Sequence, residues 1–239
     1  MPLLTPIERD AEAIELMDRP ASLEEVSGCL HTIVRLNGLF GGRRLTLRHV
    51  RGLLDGLPAD RPVTVLDVGA GAADIPVTLV RWARRAGRRI RVFALDRDSA
   101  TLNYARRHAA AYPEIAFVQG DALALPVPPG SVDVVISALT LHHLQPAEAL
   151  RYLSEIDAAA RLGWVVNDLV RGRAAHGLVW LLTRLLSRSA VARHDGPMSV
   201  LRSYTPSEVA VLCEKAGLFD VRVVNHALFL RQCAVRTKP

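Results

Sequence analysis

Cysteine is scarce in this 239-residue chain, and the cysteines present form no recognisable pattern. Cys29, Cys213 and Cys233 are odd in number and widely separated, which indicates neither a disulfide framework nor a metal site of close spacing. Structural disulfides are typical of oxidising compartments, so their lack favours reduced, buried thiols. The sequence therefore predicts a cytoplasmic protein that has no metal site.

Long apolar runs are also lacking. The nearest to one, residues 178–186, is interrupted by Thr183 and Arg184, and it falls well short of the ~20 apolar residues that span a membrane. Residues 1–18 carry acidic residues among the apolar ones, unlike a signal peptide. We therefore expect no membrane span.

Aromatic residues make up only 5% of the chain, and Lys215 and Lys238 are its only lysines. The net charge of +6 is thus carried by arginines, which are dispersed apart from a group at residues 84–91. Nucleic-acid-binding surfaces combine clustered positive charge with aromatic stacking residues. The composition therefore disfavours a nucleic-acid partner.

The most informative segment runs from residue 63 to residue 74 and has the sequence VTVLDVGAGAAD. Its apolar, β-branched start is typical of a strand that is buried on both faces. Gly69 and Gly71 then allow a sharp turn and the close approach of a ligand, and helix-compatible residues follow. Such a unit opens the nucleotide-binding α/β folds. Asp67 precedes the glycines, where it would repel a pyrophosphate, so a ligand with a cationic end is indicated.

Two further predicted strands end in acidic residues. Residues 90–96 (IRVFALD) end at Asp96, where this fold holds a ribose through its hydroxyls. Residues 116–122 (AFVQGDA) bring a second carboxylate, Asp121, to the end of a third strand. A proline- and glycine-rich loop at residues 125–131 then leads to a fourth buried strand. Because parallel strands share one carboxyl edge, we expect these acids to lie close together.

These motifs resemble those of the class I S-adenosylmethionine (SAM) methyltransferases, and the resemblance covers residues 60–235. Gly69 and Gly71 match the first two glycines of the family's D/E-x-G-x-G-x-G motif, whereas Ala73 stands at the third. The segment LPVPPGSVDVV at residues 125–135 is typical of the small-molecule branch, of the polyketide and quinone type.

The resemblance implies a Rossmann-like α/β fold with a mostly parallel sheet of seven strands. The last two strands, expected at residues 220–225 and 227–235, would form an antiparallel hairpin. Helical periodicity before the first strand predicts an N-terminal helical cap at residues 1–56. The SAM-binding methyltransferase domain would then cover residues 57–239.

An insertion is predicted at residues 171–202, above the acceptor site. It is expected to contain a helix at residues 176–186 and then a loop at residues 193–197, which have the sequence RHDGP. His194 lies in this predicted loop, next to an acid.

The resemblance also implies how the cofactor SAM is held, with S-adenosylhomocysteine as the product. Asp67 would lie near the amino group, the glycines beneath the methionine part and the ribose, and Asp121 near the adenine. The predicted cofactor-binding residues follow the first four strands and are Asp67, Gly69, Gly71, Asp96, Arg97, Asp121, Ala122, Ser137, Ala138 and Leu139.

Histidines are the natural proton acceptors for a phenol or enol nucleophile. His143 and His194 are the predicted catalytic residues, and both are also predicted to contact the acceptor. His142, Asn167 and Asp168 complete the predicted acceptor site, because they too follow strands of the sheet. Structural roles for the two adjacent histidines and a helix-capping role for Asp168 remain alternatives.

The leading hypothesis is a metal-independent O-methyltransferase that acts on a small hydroxylated aromatic, phenolic or quinonoid in kind. A C-methyltransferase of the quinone-biosynthesis type shares the same motifs, and a non-catalytic SAM-binding protein is a further alternative. Methylation of nucleic-acid bases is disfavoured because Ser-Ala-Leu-Thr follows the fourth strand in place of Asn/Asp-Pro-Pro-aromatic. The sequence does not decide between a monomer and a homodimer.

Overall fold

A computed structural model describes residues 7–19 and 22–238. Helices and strands alternate along most of this part of the chain. The helices are α1 (Leu23–Leu39), α2 (Gly42–Leu53), α3 (Asp74–Arg85), α4 (Ser99–His108), α5 (Pro146–Ala159), α6 (Arg173–Leu186), α7 (Ala190–Arg202) and α8 (Pro206–Lys215). The strands are β1 (Val63–Val68), β2 (Ile90–Asp96), β3 (Ile115–Gln119), β4 (Val132–Ala138), β5 (Ala160–Leu169), β6 (Val221–His226) and β7 (Arg231–Thr237).

The strands form one sheet in the order β3-β2-β1-β4-β5-β7-β6. Strands β1 to β5 run parallel to one another, and β7 pairs antiparallel with both β5 and β6. β1 and β4 lie at the centre and are almost wholly buried, because their apolar, β-branched residues are covered on both faces. The predicted Rossmann-like α/β fold with a final antiparallel hairpin is confirmed.

Helices cover both faces of the sheet. On one face, α2 and α3 contribute Val50 and Leu79 to a hydrophobic cluster with the central strands. On the other face, α5 and α8 contribute Tyr152, Leu153 and Leu212 to a second cluster. Burial of these side chains fixes the helices against the sheet, so the carboxyl ends of the parallel strands form one edge, where such folds bind ligands.

The segment predicted as a helical cap contains two helices with different surroundings. α1 begins after Ser22, whose hydroxyl accepts a hydrogen bond from the Glu25 N–H while the Glu25 carboxylate accepts one from the Ser22 N–H. α1 lines the cavity described below, whereas α2 packs against the sheet. Residues 1–6, 20 and 21 of the predicted cap lie outside the described residues.

Two helices, α6 and α7, form most of the predicted insertion at residues 171–202. The loop predicted at residues 193–197 is wrong, because this stretch lies within α7. The Ser189 hydroxyl caps α7 by accepting a hydrogen bond from the Ala192 N–H. Buried Asp195 anchors the middle of the helix by accepting two backbone hydrogen bonds from the N-terminal segment. These contacts hold the helix despite a composition typical of a turn.

The final strand starts later than predicted. Residues Ala227–Phe229 form a 3₁₀ turn, and Leu230 takes a left-handed φ of 53° before β7 begins at Arg231. The apolar side chains of this turn favoured a strand in the sequence, but the reversal between β6 and β7 requires a turn there.

Cys29, Cys213 and Cys233 are free, buried thiols on α1, α8 and β7, respectively. Among the described helices, none has the length and apolar character needed to cross a membrane.

Candidate active site

A cavity of about 950 Å³ lies at the carboxyl ends of β1, β2 and β4. This is where open α/β sheets bind their ligands. Its cofactor side is lined by Gly69, Gly71, Asp96, Arg97, Asp121, Ala122 and Leu139. Its other side is lined by residues that include Glu15, Asp18, His142, His143, Leu169, Val179 and Phe229. One cavity therefore joins the predicted cofactor region to the predicted acceptor region.

The glycine turn after β1 leaves room for a ligand. Gly69 and Gly71 have φ angles of 72° and 53°, which residues with a Cβ rarely adopt. A Cβ added at Gly71 would have no neighbour nearer than the Leu30 side chain of α1, 3.9 Å away. Ala73, at the family's third glycine position, also takes a positive φ of 58°. The turn thus keeps a left-handed residue at that position despite the departure from the motif.

Asp96 is fixed at the end of β2 with its carboxylate in the cavity wall. One oxygen accepts a hydrogen bond from the Gly71 N–H at 3.0 Å, and the other accepts one from the Asp98 N–H at 3.0 Å. Burial raises the pKa of Asp96, although these two hydrogen bonds act in the opposite direction. A carboxylate held in this way retains lone pairs for a hydroxylated ligand such as a ribose.

Asp67 lies behind the glycine turn and does not line the cavity. It is buried, and burial together with the nearby carboxylates of Asp74 and Asp96 raises its pKa well above the ordinary range. A cationic ligand group close to the glycine turn would relieve this repulsion. The site therefore fits the ammonium end of SAM, although Asp67 would act from behind the cavity surface.

Three more of the predicted cofactor-binding residues, Arg97, Asp121 and Ala122, line the cavity. Asp121 and Ala122 follow β3, and the Asp121 carboxylate accepts a hydrogen bond from the Leu123 N–H at 2.9 Å. Arg97 follows Asp96 and reaches across the cavity mouth to Asp18. A direct contact of each with the cofactor remains a prediction.

The three residues predicted after β4 have different positions. Leu139 lines the cavity with a left-handed φ of 58°, and its N–H donates to the Asn167 carbonyl at 3.0 Å. Ser137 and Ala138 do not line the cavity. The Ser137 hydroxyl donates to the Val68 carbonyl at 2.6 Å and thereby joins β4 to β1. The structure thus gives Ser137 a role in holding the strand ends together.

On the acceptor side, His142 is buried and oriented by Asp168. Its Nδ1 lies 2.7 Å from one Asp168 oxygen, and its backbone N–H donates to the other at 3.0 Å. Burial alone would raise the pKa of Asp168, but the charge and hydrogen bonds of His142 and the Leu169 N–H hold it below its ordinary value. Asp168 itself does not line the cavity, so it acts on the site through His142.

Glu15, which sequence analysis did not identify, lies between the two histidines. Its Oε1 is 3.6 Å from His142 Nε2, and its Oε2 is 3.8 Å from His143 Nε2. Only 4% of Glu15 is exposed, and its Oε1 has no hydrogen-bond partner in the described part of the chain. Burial raises the pKa of Glu15 to about 7, against the opposing charges of His143 and Arg202. This carboxyl can therefore exchange a proton near neutral pH.

Residues 15–18, which we call the N-terminal turn, connect the two sides of the cavity. The Asp18 carboxylate lies 3.5 Å from His143 Nδ1, 2.8 Å from an Arg202 nitrogen and 3.1 Å from an Arg97 nitrogen. Burial alone would raise the pKa of Asp18, but His143 and Arg202 leave it well below its ordinary value. Asp18 is therefore a carboxylate that holds cations on both sides of the cavity.

Besides Asp168, two more of the predicted acceptor residues lie off the cavity surface. His194 is on α7 with 45% of its side chain exposed, and its Nδ1 is 2.8 Å from the Asp195 carboxylate, which does line the cavity. Asn167 is fully buried in β5, where its amide donates to the Gly42 carbonyl at 3.0 Å and the Thr46 hydroxyl at 2.9 Å. The structure thus brings His142 and His143 together with Glu15, and it leaves His194 and Asn167 outside this cluster.

The wall beyond the histidines is apolar. It comprises side chains from α1, α6 and the segment between β6 and β7, and its members include Leu30, Ile33, Leu36, Val179, Leu182, Phe229 and Leu230. An apolar wall with a few convergent polar groups is the usual form of a small-molecule site.

Part of the chain is similar to known methyltransferases. A family profile described as a methyltransferase domain matches residues 65–163. Over 76 residues, 32% of each chain, the sequence is 42% identical to the 2-phytyl-1,4-naphtoquinone methyltransferase of Thermosynechococcus vestitus. Over 93 residues, it is 36% identical to the malonyl-[acyl-carrier protein] O-methyltransferase of Xylella fastidiosa, covering 38% of this chain and 30% of that one. The similarity thus spans about a third of these curated relatives.

A solved structure extends the likeness to most of the fold. Human N-acetylserotonin methyltransferase in complex with SAM superimposes with a TM-score of 0.64, covering 91% of this chain and 56% of that chain at 19% identity. At this identity the likeness shows the fold. Residues 65–163 therefore match a methyltransferase domain within a fold that is shared with SAM-dependent methyltransferases.

Proposed function

We propose that this protein transfers a methyl group from SAM to a small hydroxylated aromatic of phenolic or quinonoid kind. The observation that carries the proposal is the continuity of the cavity, which extends from the glycine turn to the Glu15–His143 pair and the apolar wall. When bound, SAM supplies an electrophilic methyl group. Holding both ligands in one cavity brings the reacting atoms into line, which is the main requirement of a displacement reaction.

In this proposal the cofactor side binds SAM through a few fixed groups. Asp96 accepts hydrogen bonds from the ribose hydroxyls, since its carboxylate is already oriented by two backbone N–H groups. Asp121 and Ala122 hold the adenine end, and the open space at Gly71 admits the methionine end.

On the acceptor side, the Glu15–His143 pair takes the proton of the acceptor hydroxyl. His143 has 29% of its side chain exposed and lines the cavity, while Glu15 lies buried behind it with a pKa of about 7. His142 is fixed by Asp168 and supports Glu15 from the other side.

The proposed O-methylation needs no metal ion, because the Glu15–His143 pair supplies the proton acceptor. Glu15, His142 and His143 offer ligand atoms close enough together to hold a cation. However, an Arg202 nitrogen lies 3.8 Å from Glu15 Oε1, and its positive charge disfavours a dication there. Turnover that is unchanged by a chelator supports this assignment, and stimulation by Mg²⁺ would contradict it.

C-methylation of a quinone is a second candidate, favoured by the 42% identity to a naphthoquinone methyltransferase. That match covers 76 residues and about a third of either chain, so it carries little information on acceptor chemistry. An enolic acceptor carbon would need the same proton acceptor as a phenol. The position of the new methyl group, determined by NMR, separates the two reactions.

Elements outside the matched domain also have roles in this proposal. The N-terminal turn and α1 act as the part of the predicted cap that covers the cavity, and α6 and α7 act as the roof of the acceptor end. The buried free thiols support a cytoplasmic location, and the dispersed arginines favour a small-molecule partner over nucleic acid.

The proposal is tested by incubating the protein with methyl-labelled SAM and a panel of phenols, resorcinols, naphthoquinones and bulk RNA, with mass spectrometry as the readout. We expect label in a phenolic or quinonoid compound. Label only in RNA would contradict the proposal. Tight SAM binding without transfer to any compound of the panel would favour the non-catalytic alternative.

A further inference from the structure

A second group of side chains with metal-binding chemistry lies outside the cavity, where α2 meets the C-terminal hairpin. It consists of His49 on α2, His226 at the end of β6 and Cys233 in β7. The Nε2 atoms of the two histidines are 3.2 Å apart. One ligand atom from each of the three residues lies within 4.8 Å of the others.

The register of the hairpin explains why these residues converge. His226 pairs directly with Arg231, so their side chains share a face of the sheet. Cys233 lies two residues further along β7 and therefore points to that same face. α2 packs on this face and brings His49 to the same place. The three ligand atoms thus come together through tertiary structure, although no local metal motif is present in the sequence.

The distance between the two imidazole nitrogens is suited to a shared ion. Two nitrogens bound to one tetrahedral zinc ion at about 2.0–2.1 Å stand about 3.3–3.4 Å apart. The observed separation of 3.2 Å is within a few tenths of an ångström of that value. Two imidazoles and one thiolate are also a ligand set that suits zinc and the related divalent transition ions.

We propose that His49, His226 and Cys233 bind a divalent cation of the zinc class, which clamps α2 to the β6–β7 hairpin. Three protein ligands leave the fourth position of a tetrahedral ion to water. Arg48 and Arg222 act on His49 with positive charge, and the Cys233 thiolate compensates one charge of the ion. We therefore expect weaker binding than at a zinc site with four cysteine ligands.

The clamp has a structural consequence for the cavity. The segment between β6 and β7 carries Phe229 and Leu230, both of which line the apolar wall. A cation that joins His226 and Cys233 to α2 would fix the two ends of this segment. None of the three ligands lines the cavity, so cation binding can be measured separately from methyl transfer.

The test is a titration of the chelator-treated, full-length protein with Co²⁺, followed by displacement with Zn²⁺. We expect one equivalent of Co²⁺ to produce a thiolate-to-cobalt absorption band together with the visible bands of a tetrahedral site. Cys233→Ser should abolish the thiolate band. His49→Gln and His226→Gln should weaken binding by more than the roughly 10-fold to 100-fold typical of losing an outer partner.

Two matched variants serve as controls. Cys213→Ser removes a buried thiol on α8 and should leave the band unchanged. His143→Gln removes a ligand from the other candidate cluster and should also leave it unchanged. The proposal is wrong if the wild type shows no thiolate band, if the band survives Cys233→Ser, or if the band is lost in His143→Gln.

Thermal unfolding gives a second readout that does not depend on cobalt or on activity. Zn²⁺ should raise the Tm of the wild type and of Cys213→Ser, since a ligand that binds only the folded state stabilises it. The His226→Gln variant changes a partly exposed residue at the sheet edge and should fold, and its Tm should not respond to Zn²⁺. An equal Zn²⁺ response in this variant would overturn the proposal.

Discussion

The two ends of the cavity are built in different ways. The cofactor end comes from successive strand ends, and each of its residues follows directly after the strand that positions it. The acceptor end is assembled from the N-terminal turn, α1, residues 141–143 and the α6–α7 pair, which are far apart in the chain. Local sequence therefore encodes the cofactor end, whereas tertiary packing assembles the acceptor end.

Similarity to other proteins follows the same division. The matched methyltransferase domain spans residues 65–163 and ends before α6. This range contains the strands that carry the proposed cofactor residues, and it also contains His142 and His143. Residues 15–18 and α6–α7 lie outside it. A shared cofactor end with a separate acceptor end is what we expect of enzymes that transfer the same group to different molecules. Glu15 and the apolar wall are therefore the parts of the proposed acceptor site that these comparisons do not cover.

The largest effect is expected on SAM binding, when the glycine turn of the cofactor end is disrupted. Gly71→Val places a branched side chain at a φ of 53° and into the open space facing Leu30, so SAM binding should be lost in a calorimetric titration. Gly87→Val is the matched control, because Gly87 has a φ of 63° but no atom near its missing Cβ. It should lose stability and keep SAM affinity. Equal SAM affinity in both variants would contradict the assignment of the turn.

The next largest effect is expected on turnover, when the proposed proton acceptor of the acceptor end is removed. Glu15→Gln removes a proton acceptor, so turnover should fall by roughly 10²–10⁴-fold, the usual contribution of general base catalysis. SAM affinity should stay unchanged, because Glu15 lies across the cavity from the glycine turn. Glu214→Gln makes the same chemical change on an exposed position of α8 and should leave turnover intact. Loss of SAM binding in Glu15→Gln would contradict the prediction, because it would show that Glu15 also contributes to the cofactor end of the cavity.

The acceptor end should also affect stability as a function of pH. The folded-state pKa of Glu15 is raised to about 7, so its stabilising contribution is complete below about pH 4.5 and is lost as the pH rises through 7. Relative to Glu15→Gln, the wild type should lose up to about 3 kcal/mol of unfolding free energy over that range, at 1.36 kcal/mol per pKa unit. Denaturant unfolding at several pH values measures this difference. Parallel curves for the two proteins would show that Glu15 titrates normally.

A smaller effect on SAM affinity is expected when the proposed ribose ligand of the cofactor end is removed. Asp96→Ala should weaken SAM binding by about 1.5–3 kcal/mol, as expected for a hydrogen bond to a charged group. Turnover at saturating SAM should change much less, since Asp96 contacts no group of the acceptor end. An unchanged calorimetric titration would refute the ribose role.

The sequence signals of the proposed cofactor end are local. A buried strand, two glycines and an acid at the next strand end are each visible within about ten residues, and the sheet order follows from the family resemblance. Gly69, Gly71, Asp96 and Asp121 line the cavity, and their contacts with the cofactor remain predictions. Asp67 and Ser137 do not line the cavity, because the alternation of side chains along a strand end does not by itself reveal which residues reach a cavity.

The acceptor end could not be predicted in the same way. Glu15 and His142 lie far apart in the sequence and meet only in the folded chain, and no periodicity or motif connects the two residues. His194 was expected in a roof loop, yet its helix turns it outwards and leaves Asp195 to face the cavity. Asp195 accepts hydrogen bonds from the Leu16 and Met17 N–H groups, so His194→Ala should affect turnover only through the position of the N-terminal turn.

The measurement that tests the account most directly is the pH dependence of methyl transfer by the wild type and by Glu15→Gln, with the best acceptor from the labelled-SAM panel. In the wild type, kcat should rise to a plateau with an apparent pKa near 7, because the Glu15–His143 pair must be able to accept a proton. In Glu15→Gln the residual rate should lack this rise. Profiles of the same shape in both proteins would contradict the account and place the proton acceptor elsewhere.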